Sequence, residues 1–350
     1  MKQLSIVLSL TLAVVVCGSA TAEDTRSLSD LFRAVDSSVV EITTIQQVVA
    51  DKGPSRRVAA GSIGSGFLIS SDGRIMTAAH VVQIADKITV KFVTGDEVPA
   101  RVLASDPSAD VALIQAESVP VGITPALLGS AADALVGDQV FVIGAPYGIA
   151  HTMTVGHISA RRAPNHLFGG FEKVELLQTD AAINQGNSGG PMFNTRGEVI
   201  GVVSHIFSTS GGSQGLGFVV TSDLAMKVLI DEPTAWTGLH GNLIDGTVAA
   251  ALNVPQSSGI LVEAVAVGSL ASALGLRAGN LKANIAGQDL TLGGDIILSV
   301  HGVRIGEPDF HKKILTKRKA LGDDDQFEVS VLRNGNVIRL SRLVSVLNAN

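Results

Sequence analysis

His80, Asp110 and Ser188 are the residues whose types and order along the chain could carry nucleophilic catalysis. A serine hydroxyl is a weak nucleophile until an imidazole accepts its proton, and a carboxylate has to hold that imidazole in the correct tautomer. The sequence therefore predicts acyl transfer by Ser188, with His80 as the general base and Asp110 as the group that orients His80.

The stretch around Ser188 reads NQGNSGGP over residues 184–191. A flexible polar turn would explain such a composition at little cost. A catalytic loop explains more of it, because Gly186 can adopt backbone angles that let its N–H and that of Ser188 converge on a developing oxyanion. We expect Gly186, Asn187 and Ser188 to form the oxyanion hole, and Gly189-Gly190 to leave space for a substrate.

The proposed base and carboxylate both lie beside apolar runs. His80 ends the run IMTAAH, and the two alanines before it leave room for a partner to approach. Asp110 opens the run DVALIQA, as expected for a carboxylate buried at the end of a strand. Asp106 is the alternative, but Asp-Pro favours turn initiation, so Asp106 is interpreted as a turn cap. The other histidines have no metal-ligand spacing, and neither a metal nor a cofactor is predicted.

The elements that must position these groups are short β-type runs with glycine turns between about residues 36 and 230. This rhythm predicts an all-β barrel or sandwich, with helices only at 27–36 and 222–231. The order His, Asp, Ser agrees with an all-β protease of the chymotrypsin type. Residues 231–234 are interpreted as a linker to a mixed β/α domain, whose Asn334-Gly335 pair predicts a hairpin turn.

Composition and charge exclude some classes of protein. The formal net charge is −6 over 350 residues, so no basic surface for nucleic acid is expected.

Residues 1–22 have the pattern of a signal peptide, which predicts export to the periplasm. Cys17 is the only cysteine; bulky Val16 before it disfavours a lipid anchor, and the short apolar segment disfavours a retained membrane anchor.

Several motifs together resemble the HtrA/DegP family of trypsin-like serine endoproteases. They are GSGFLIS, GRIMTAAHVV, SDPSADVALIQ, GAPYGIAHTMTVGHIS, TDAAINQGNSGGP and GLGFVVTSD. The resemblance implies a double six-stranded β-barrel protease domain at 23–232 and one PDZ domain at 233–350. It also implies ATP-independent action on misfolded proteins and a homotrimer or a higher multiple. Leu31-Phe32 is a candidate trimer contact, with a core position for Phe32 as the alternative.

The same resemblance assigns a substrate pocket to Ala182, Ile183 and the strand with Leu216. Ala182 stands where an acid would be needed to bind Lys or Arg, and an apolar pocket cannot stabilise a buried cation. We therefore expect cleavage after small or medium aliphatic residues. Regulatory loops of this family carry an arginine that Arg161 or Arg162 could match, although a solvated basic pair explains them equally.

The resemblance also implies a peptide-binding site in the PDZ domain. Thr237, Gly238 and Leu239 would form the loop that binds a peptide C-terminal carboxylate, and the peptide would add as a strand beside it. Residues 281–295 lengthen this domain beyond the usual compact pattern. Two alternative functions stay open at this point: a site-specific stress-signalling protease, and a chaperone or peptide-binding scaffold with secondary protease activity.

Overall fold

The structure is a computed structural model that describes residues 26–50, 57–149, 151–162, 174–208 and 212–348. The predicted signal peptide and Cys17 lie outside these residues. Within the described ranges, no helix is long and apolar enough to cross a membrane.

Strands between Val39 and Ala116 form a closed six-stranded barrel in the order β1-β2-β3-β6-β5-β4. Its core is built from small and branched apolar side chains such as Ile42, Ile75 and Ile114. The elements are α1 (Leu28–Val35), β1 (Val39–Val49), β2 (Arg57–Leu68), β3 (Arg74–Thr77), α2 (Ala79–Val82), β4 (Lys87–Lys91), β5 (Glu97–Asp106) and β6 (Val111–Ala116).

A second barrel follows, and it closes because β11 pairs with both β8 and β12. Its order is β11-β8-β9-β10-β13-β12, with β7 added in parallel to β12. The elements are β7 (Leu127–Leu128), β8 (Gln139–Gly144), β9 (Thr152–Arg162), β10 (Leu176–Thr179), β11 (Pro191–Asn194), β12 (Glu198–Ile206), β13 (Gly217–Thr221) and α3 (Ser222–Met226). The expected chymotrypsin-like pair of six-stranded β-barrels is confirmed.

The C-terminal part forms a separate sheet in the order β14-β15-β18-β20-β21, with β19 paired to β18. The extra residues after 280 form a two-stranded hairpin, β16 with β17. The elements are β14 (Leu239–Asp245), α4 (Gly246–Ala251), β15 (Ser258–Val265), α5 (Leu270–Ala273), β16 (Leu281–Ile285), β17 (Gln288–Leu292), β18 (Ile296–Val300), β19 (Val303–Arg304), α6 (Phe310–Lys319), β20 (Gln326–Arg333), β21 (Asn336–Leu343) and α7 (Val344–Asn348).

Most sequence-predicted elements are present, but one strand ends early. The run 74–82 is a strand only to Thr77, and residues 79–82 form the short helix α2. Val81 and Val82 of this helix are buried in the first barrel, and this packing overrides their β-propensity. The predicted hairpin turn is present at Asn334-Gly335, where both residues have positive φ, as a type I′ turn requires.

The N-terminal helix α1 packs against the two barrels of its own chain. Leu31 is 1% exposed and belongs to a core cluster, and Phe32 is partly buried against the same cluster. The core alternative given for Phe32 above is therefore the arrangement found. Because Leu31 is buried within its own chain, it is not an exposed trimer contact in this structure. Burial of such a side chain contributes about 1.5–3 kcal/mol to the stability of the fold.

Polar contacts join the first barrel to the beginning of the C-terminal sheet. Gln83, which follows α2, is 7% exposed and donates from Nε2 to Thr237 Oγ1 (3.0 Å) and to the Leu239 carbonyl (3.1 Å). The indole of Trp236 donates to the Gln83 carbonyl at 2.9 Å. Arg57 donates from Nη2 to the carbonyl of Glu263 at 2.8 Å, which adds a second attachment.

Candidate active site

His80 and Asp110 meet on adjacent elements of the first barrel. The His80 Nδ1 lies 2.9 Å from each carboxylate oxygen of Asp110, and the His80 backbone N–H donates to Oδ1 at 3.0 Å. The side chain of Asp110 is 7% exposed and that of His80 is 51% exposed. The pair therefore has a buried carboxylate that orients an imidazole with one face open to a substrate.

The surroundings of this pair shift both pKa values. Burial opposes protonation of His80, but the hydrogen bond and the negative charge of Asp110 outweigh it and raise the pKa of His80 above its ordinary value. For Asp110, burial acts to raise the pKa, and hydrogen bonds from His80 and Ser204 overcome this effect and lower it. Asp110 is thus ionised near neutrality and stabilises a protonated His80.

Ser188 lies at the junction of the two barrels, and its hydroxyl donates to the carbonyl of Ser204 at 3.2 Å. Ser204 also donates from its own hydroxyl to Asp110 Oδ2. One residue of β12 therefore contacts both the predicted nucleophile and the predicted carboxylate. Among the described contacts, the Ser188 hydroxyl bonds Ser204 and not the ring of His80.

The backbone on either side of Ser188 is held by Ser65 of β2. The Ser65 N–H donates to the Ser188 carbonyl at 2.8 Å, and the Ser65 hydroxyl donates to the Gly186 carbonyl at 2.7 Å. The Gly189 N–H donates to the Val203 carbonyl at 2.7 Å. These bonds fix the peptide groups around Ser188, so the loop is held in one shape and is not a flexible turn.

The predicted oxyanion-hole residues differ in their backbone bonds. The Asn187 N–H donates to the Asn184 carbonyl at 3.0 Å, inside the turn. No described residue accepts a hydrogen bond from the N–H of Gly186 or of Ser188. Gly186 has φ +105°, a backbone conformation that glycine adopts without the strain that a side chain would cause. The two N–H groups that a ligand could bind are therefore those of Gly186 and Ser188.

The expectation that Gly189-Gly190 leave space for a substrate is wrong. A Cβ on Gly189 would lie 2.2 Å from Thr77 Oγ1 and 2.3 Å from the Ser65 carbonyl. A Cβ on Gly190 would lie 2.8 Å from the carbonyl of Ile143. These glycines permit close approach of the two barrels of the chain itself.

The predicted pocket residues occupy different environments. Ile183 is 2% exposed and belongs to the core of the second barrel. A Cβ on Gly217 would lie 2.5 Å from Ile183 Cδ1, so Ile183 fills the space beside that glycine. Ala182 and Leu216 are partly exposed. Ala182 and Leu216 are therefore accessible to a substrate, whereas Ile183 is packed beneath the surface.

The predicted carboxylate loop is well ordered by its own contacts. The carbonyls of Thr237 and Gly238 accept from the N–H groups of Ala271 and Ala266. Gly238 has φ +59°, and a Cβ there would lie 2.1 Å from Ser269. Leu239 begins β14, which pairs only with β15 among the described strands and so has one edge without a strand partner. At the start of β14 the Leu239 carbonyl accepts from Gln83.

The remaining predicted polar residues have structural partners. Arg161 bonds Glu175 and the carbonyls of Ala131 and Ala134, and Arg162 bonds the side chain of Gln178. Both arginines thus take part in defined contacts and are not merely a solvated basic pair. No cluster of potential metal-ligating side chains occurs in the part of the chain that the structure describes. Asp106 accepts from the backbone N–H of Ser108, as expected for a turn cap.

Sequence reasoning missed Ser65, Ser204 and Gln83. Each makes its decisive contact with a residue far away in the chain, such as Ser65 with Gly186 and Ser204 with Asp110. The only local signal was at Ser65, a small residue between Gly64 and Gly66, and a turn or a tightly packed strand has the same pattern.

Comparison with known proteins agrees with this geometry. Residues 64–202 match the family description "Trypsin-like peptidase domain". A "Probable periplasmic serine endoprotease DegP-like" of Pseudomonas putida (strain GB-1) is 36% identical over 81% of this chain and 59% of the relative. The protein of the same name from Pseudomonas putida (strain ATCC 700007 / DSM 6899 / JCM 31910 / BCRC 17059 / LMG 24140 / F1) is 33% identical over 92% of this chain and 68% of the relative. The chain thus spans about three fifths of the length of the first of these relatives.

Two solved structures are similar in fold to this chain. The structure described as "HtrA-type protease AlgW with decapeptide" is 27% identical, has a TM-score of 0.52, and covers 91% of this chain and 98% of its own. The structure described as "HtrA-type protease AlgW with tripeptide" has the same identity and TM-score and covers 91% of this chain and 96% of its own.

Proposed function

Because this chain belongs to the HtrA/DegP family of trypsin-like serine endoproteases, we propose that it hydrolyses peptide bonds in unfolded proteins through Ser188, His80 and Asp110. The observation that carries the proposal is the bidentate contact of buried Asp110 with His80 beside a serine loop that Ser65 holds rigid. The relatives are named periplasmic serine endoproteases, and this name supports a periplasmic location for the present chain.

The proposed reaction follows from these groups. His80 takes the hydroxyl proton of Ser188 as that oxygen attacks the scissile carbonyl, and later gives the proton to the leaving amine. Asp110 stabilises the imidazolium that forms between these steps. The N–H groups of Gly186 and Ser188 bind the oxyanion, and water then hydrolyses the acyl-enzyme. The Ser188 hydroxyl has to rotate from the Ser204 carbonyl toward His80, and bound substrate is expected to favour this rotation.

The proposed specificity rests on the pocket residues. Ala182 supplies no charge, and Ile183 reduces the depth available beside Gly217. A Lys or Arg side chain of the substrate would be buried there without a partner, and its desolvation would cost on the order of several kcal/mol. Cleavage is therefore proposed to follow Val, Ala or Ile.

The C-terminal sheet is proposed to be a PDZ domain covering residues 233–350. Its open strand β14 and the segment Thr237 to Leu239 support the addition of a peptide C-terminus as an extra strand. The protease domain is proposed to cover 23–232 after removal of residues 1–22. Assembly as a homotrimer or a higher multiple belongs to the same proposal and requires surfaces other than buried Leu31.

The pH dependence follows from His80, which has to be neutral to act as a base. Its pKa is raised above the ordinary 6.5, so the active neutral form is lost as the pH falls through a midpoint above 6.5. We expect the acid limb of kcat/KM for a chromogenic peptide to show that midpoint. A midpoint at or below 6.5 would contradict the stabilisation of the imidazolium by Asp110.

Digestion of unfolded casein without nucleotide tests the proposed function. We expect digestion, with fragment ends mapped by mass spectrometry predominantly after Val, Ala and Ile. Cleavage mainly after Lys or Arg would refute the apolar pocket. Absence of digestion together with suppression of casein aggregation would instead support the chaperone alternative.

A further inference from the structure

A second histidine lies next to the proposed catalytic groups. His205 follows Ser204 in β12, and its Nδ1 lies 3.0 Å from the Ser204 hydroxyl oxygen. That same hydroxyl donates to Asp110 Oδ2. A continuous chain of hydrogen bonds therefore leads from His205 through the Ser204 hydroxyl to Asp110.

The donors and acceptors in this chain can be assigned from chemistry alone. A serine hydroxyl has one hydrogen and two lone pairs. Ionised Asp110 can only accept, so the single hydrogen of Ser204 points toward it. The Ser204 oxygen is then an acceptor toward His205, and the Nδ1 of His205 has to carry a proton. A donor at this position makes the opposite orientation of the Ser204 hydroxyl unfavourable.

We propose that His205 is a positioning residue, whose Nδ1–H keeps the Ser204 hydroxyl directed at Asp110. The bond from Ser204 then limits how strongly the Asp110 carboxylate attracts the proton of His80. This inference rests on the proposed protease function for its catalytic consequence. Hydrogen bonds in a row polarise one another, so the bond from Ser204 to Asp110 is stronger with His205 present.

The charge state of His205 is compatible with this role. Burial lowers the pKa of His205; the charge of Asp110 acts in the opposite direction, and the charge of His80 adds to the lowering. Among the residues that the structure describes, Asp110 and His80 are charged groups that act on the pKa of His205. A neutral His205 at neutral pH donates its hydrogen bond without repelling the imidazolium of His80 during the reaction.

A packing role is the competing explanation. The ring of His205 stacks on Phe218 of β13, with centroids 5.0 Å apart and planes at 18°. Two variants separate the explanations. His205→Leu keeps an apolar side chain against Phe218 and removes the donor. His205→Asn removes the ring and places an amide N–H near the position of Nδ1.

For His205→Leu, at a pH on the acid limb of the wild-type profile, we expect kcat on a chromogenic peptide to fall about fivefold, because a smaller fraction of His80 is in the neutral form that acts as the base. KM should change by less than about twofold. The acid limb of the pH profile should move to higher pH, because Asp110 with a weaker bond from Ser204 attracts the His80 proton more strongly. His205→Asn should recover most of the lost kcat. In the Ser204→Ala background, His205→Leu should have little further effect, since the two residues act as one unit.

An NMR titration of the His80 ring gives a readout that needs no hydrolysis. Wild type and His205→Leu should differ in the pKa of His80, with the higher value in His205→Leu. Unchanged titration and unchanged kcat in His205→Leu would overturn the inference. Loss of activity in His205→Asn with full activity in His205→Leu would also overturn it, in favour of packing. If the pKa of His80 differs between wild type and His205→Leu as expected but wild type digests no substrate, the proposed function is refuted and the positioning role of His205 is retained.

Discussion

Replacing Ser188 by alanine is expected to lower kcat/KM for a peptide substrate by about 10⁵-fold to 10⁶-fold, because no other group can form the acyl-enzyme. The residual rate would come from binding and from the N–H groups of Gly186 and Ser188, which the backbone retains. Initial rates with a peptide carrying Val before the scissile bond provide the measurement.

The fold should tolerate the Ser188→Ala substitution. The hydroxyl makes one described hydrogen bond, to the Ser204 carbonyl, while the bonds of Ser65 are made to backbone atoms and remain. Thermal unfolding by circular dichroism should confirm a native structure. Ser29→Ala is the matched control, since Ser29 is exposed on α1, and its rate should equal that of wild type. A Ser188→Ala rate within tenfold of wild type would contradict the account.

Asp110→Asn is expected to lower kcat by about 10⁴-fold. The amide NH₂ of asparagine would donate to Nδ1 of His80, which would leave the ring in the wrong tautomer to accept the Ser188 proton. Asp110 also accepts from the His80 N–H and from Ser204, and an asparagine with one acceptor oxygen cannot serve all these donors. Steady-state kinetics at pH 8, with folding checked by circular dichroism, measures the effect.

Asp106→Asn is the matched control for this substitution. Asp106 lies four residues away and caps a turn by accepting from the Ser108 and Ala109 N–H groups, which an asparagine oxygen also does. Its kcat should stay within about threefold of wild type, as surface substitutions usually have small effects. Equal loss in both variants would indicate a general fault in the 106–110 turn and would contradict a specific role for Asp110.

The chemistry-bearing residues could be predicted from sequence because each has a local signature. Ser188 lies in a glycine-rich loop, Asp110 follows a turn, and His80 follows an apolar run. An all-β barrel or sandwich could be predicted from the rhythm of short apolar runs and turns, and only the family resemblance implied the double barrel. The helix at 79–82 could not, because its residues have β-propensity and only burial of Val81 and Val82 against the barrel favours the helical turn.

The supporting residues could not be predicted, because their contacts join distant parts of the chain. Ser65 bonds the loop of Ser188 from the first barrel, and Gln83 bonds Thr237 from the end of α2. A serine in a strand and a glutamine after a helix have no pattern that reveals such partners. The same reason explains the wrong prediction that Gly189 leaves space for a substrate. The absence of a side chain at Gly189 allows Thr77 and Ser65 to pack directly against its backbone.

Labelling with a fluorophosphonate is the most direct test of the central claim that Ser188 is a nucleophile activated by His80 and Asp110. The account predicts that mass spectrometry of wild type finds the adduct on Ser188, with no labelling of Ser188→Ala and much slower labelling of Asp110→Asn. An adduct on another serine, or equal labelling of wild type and Ser188→Ala, would contradict it.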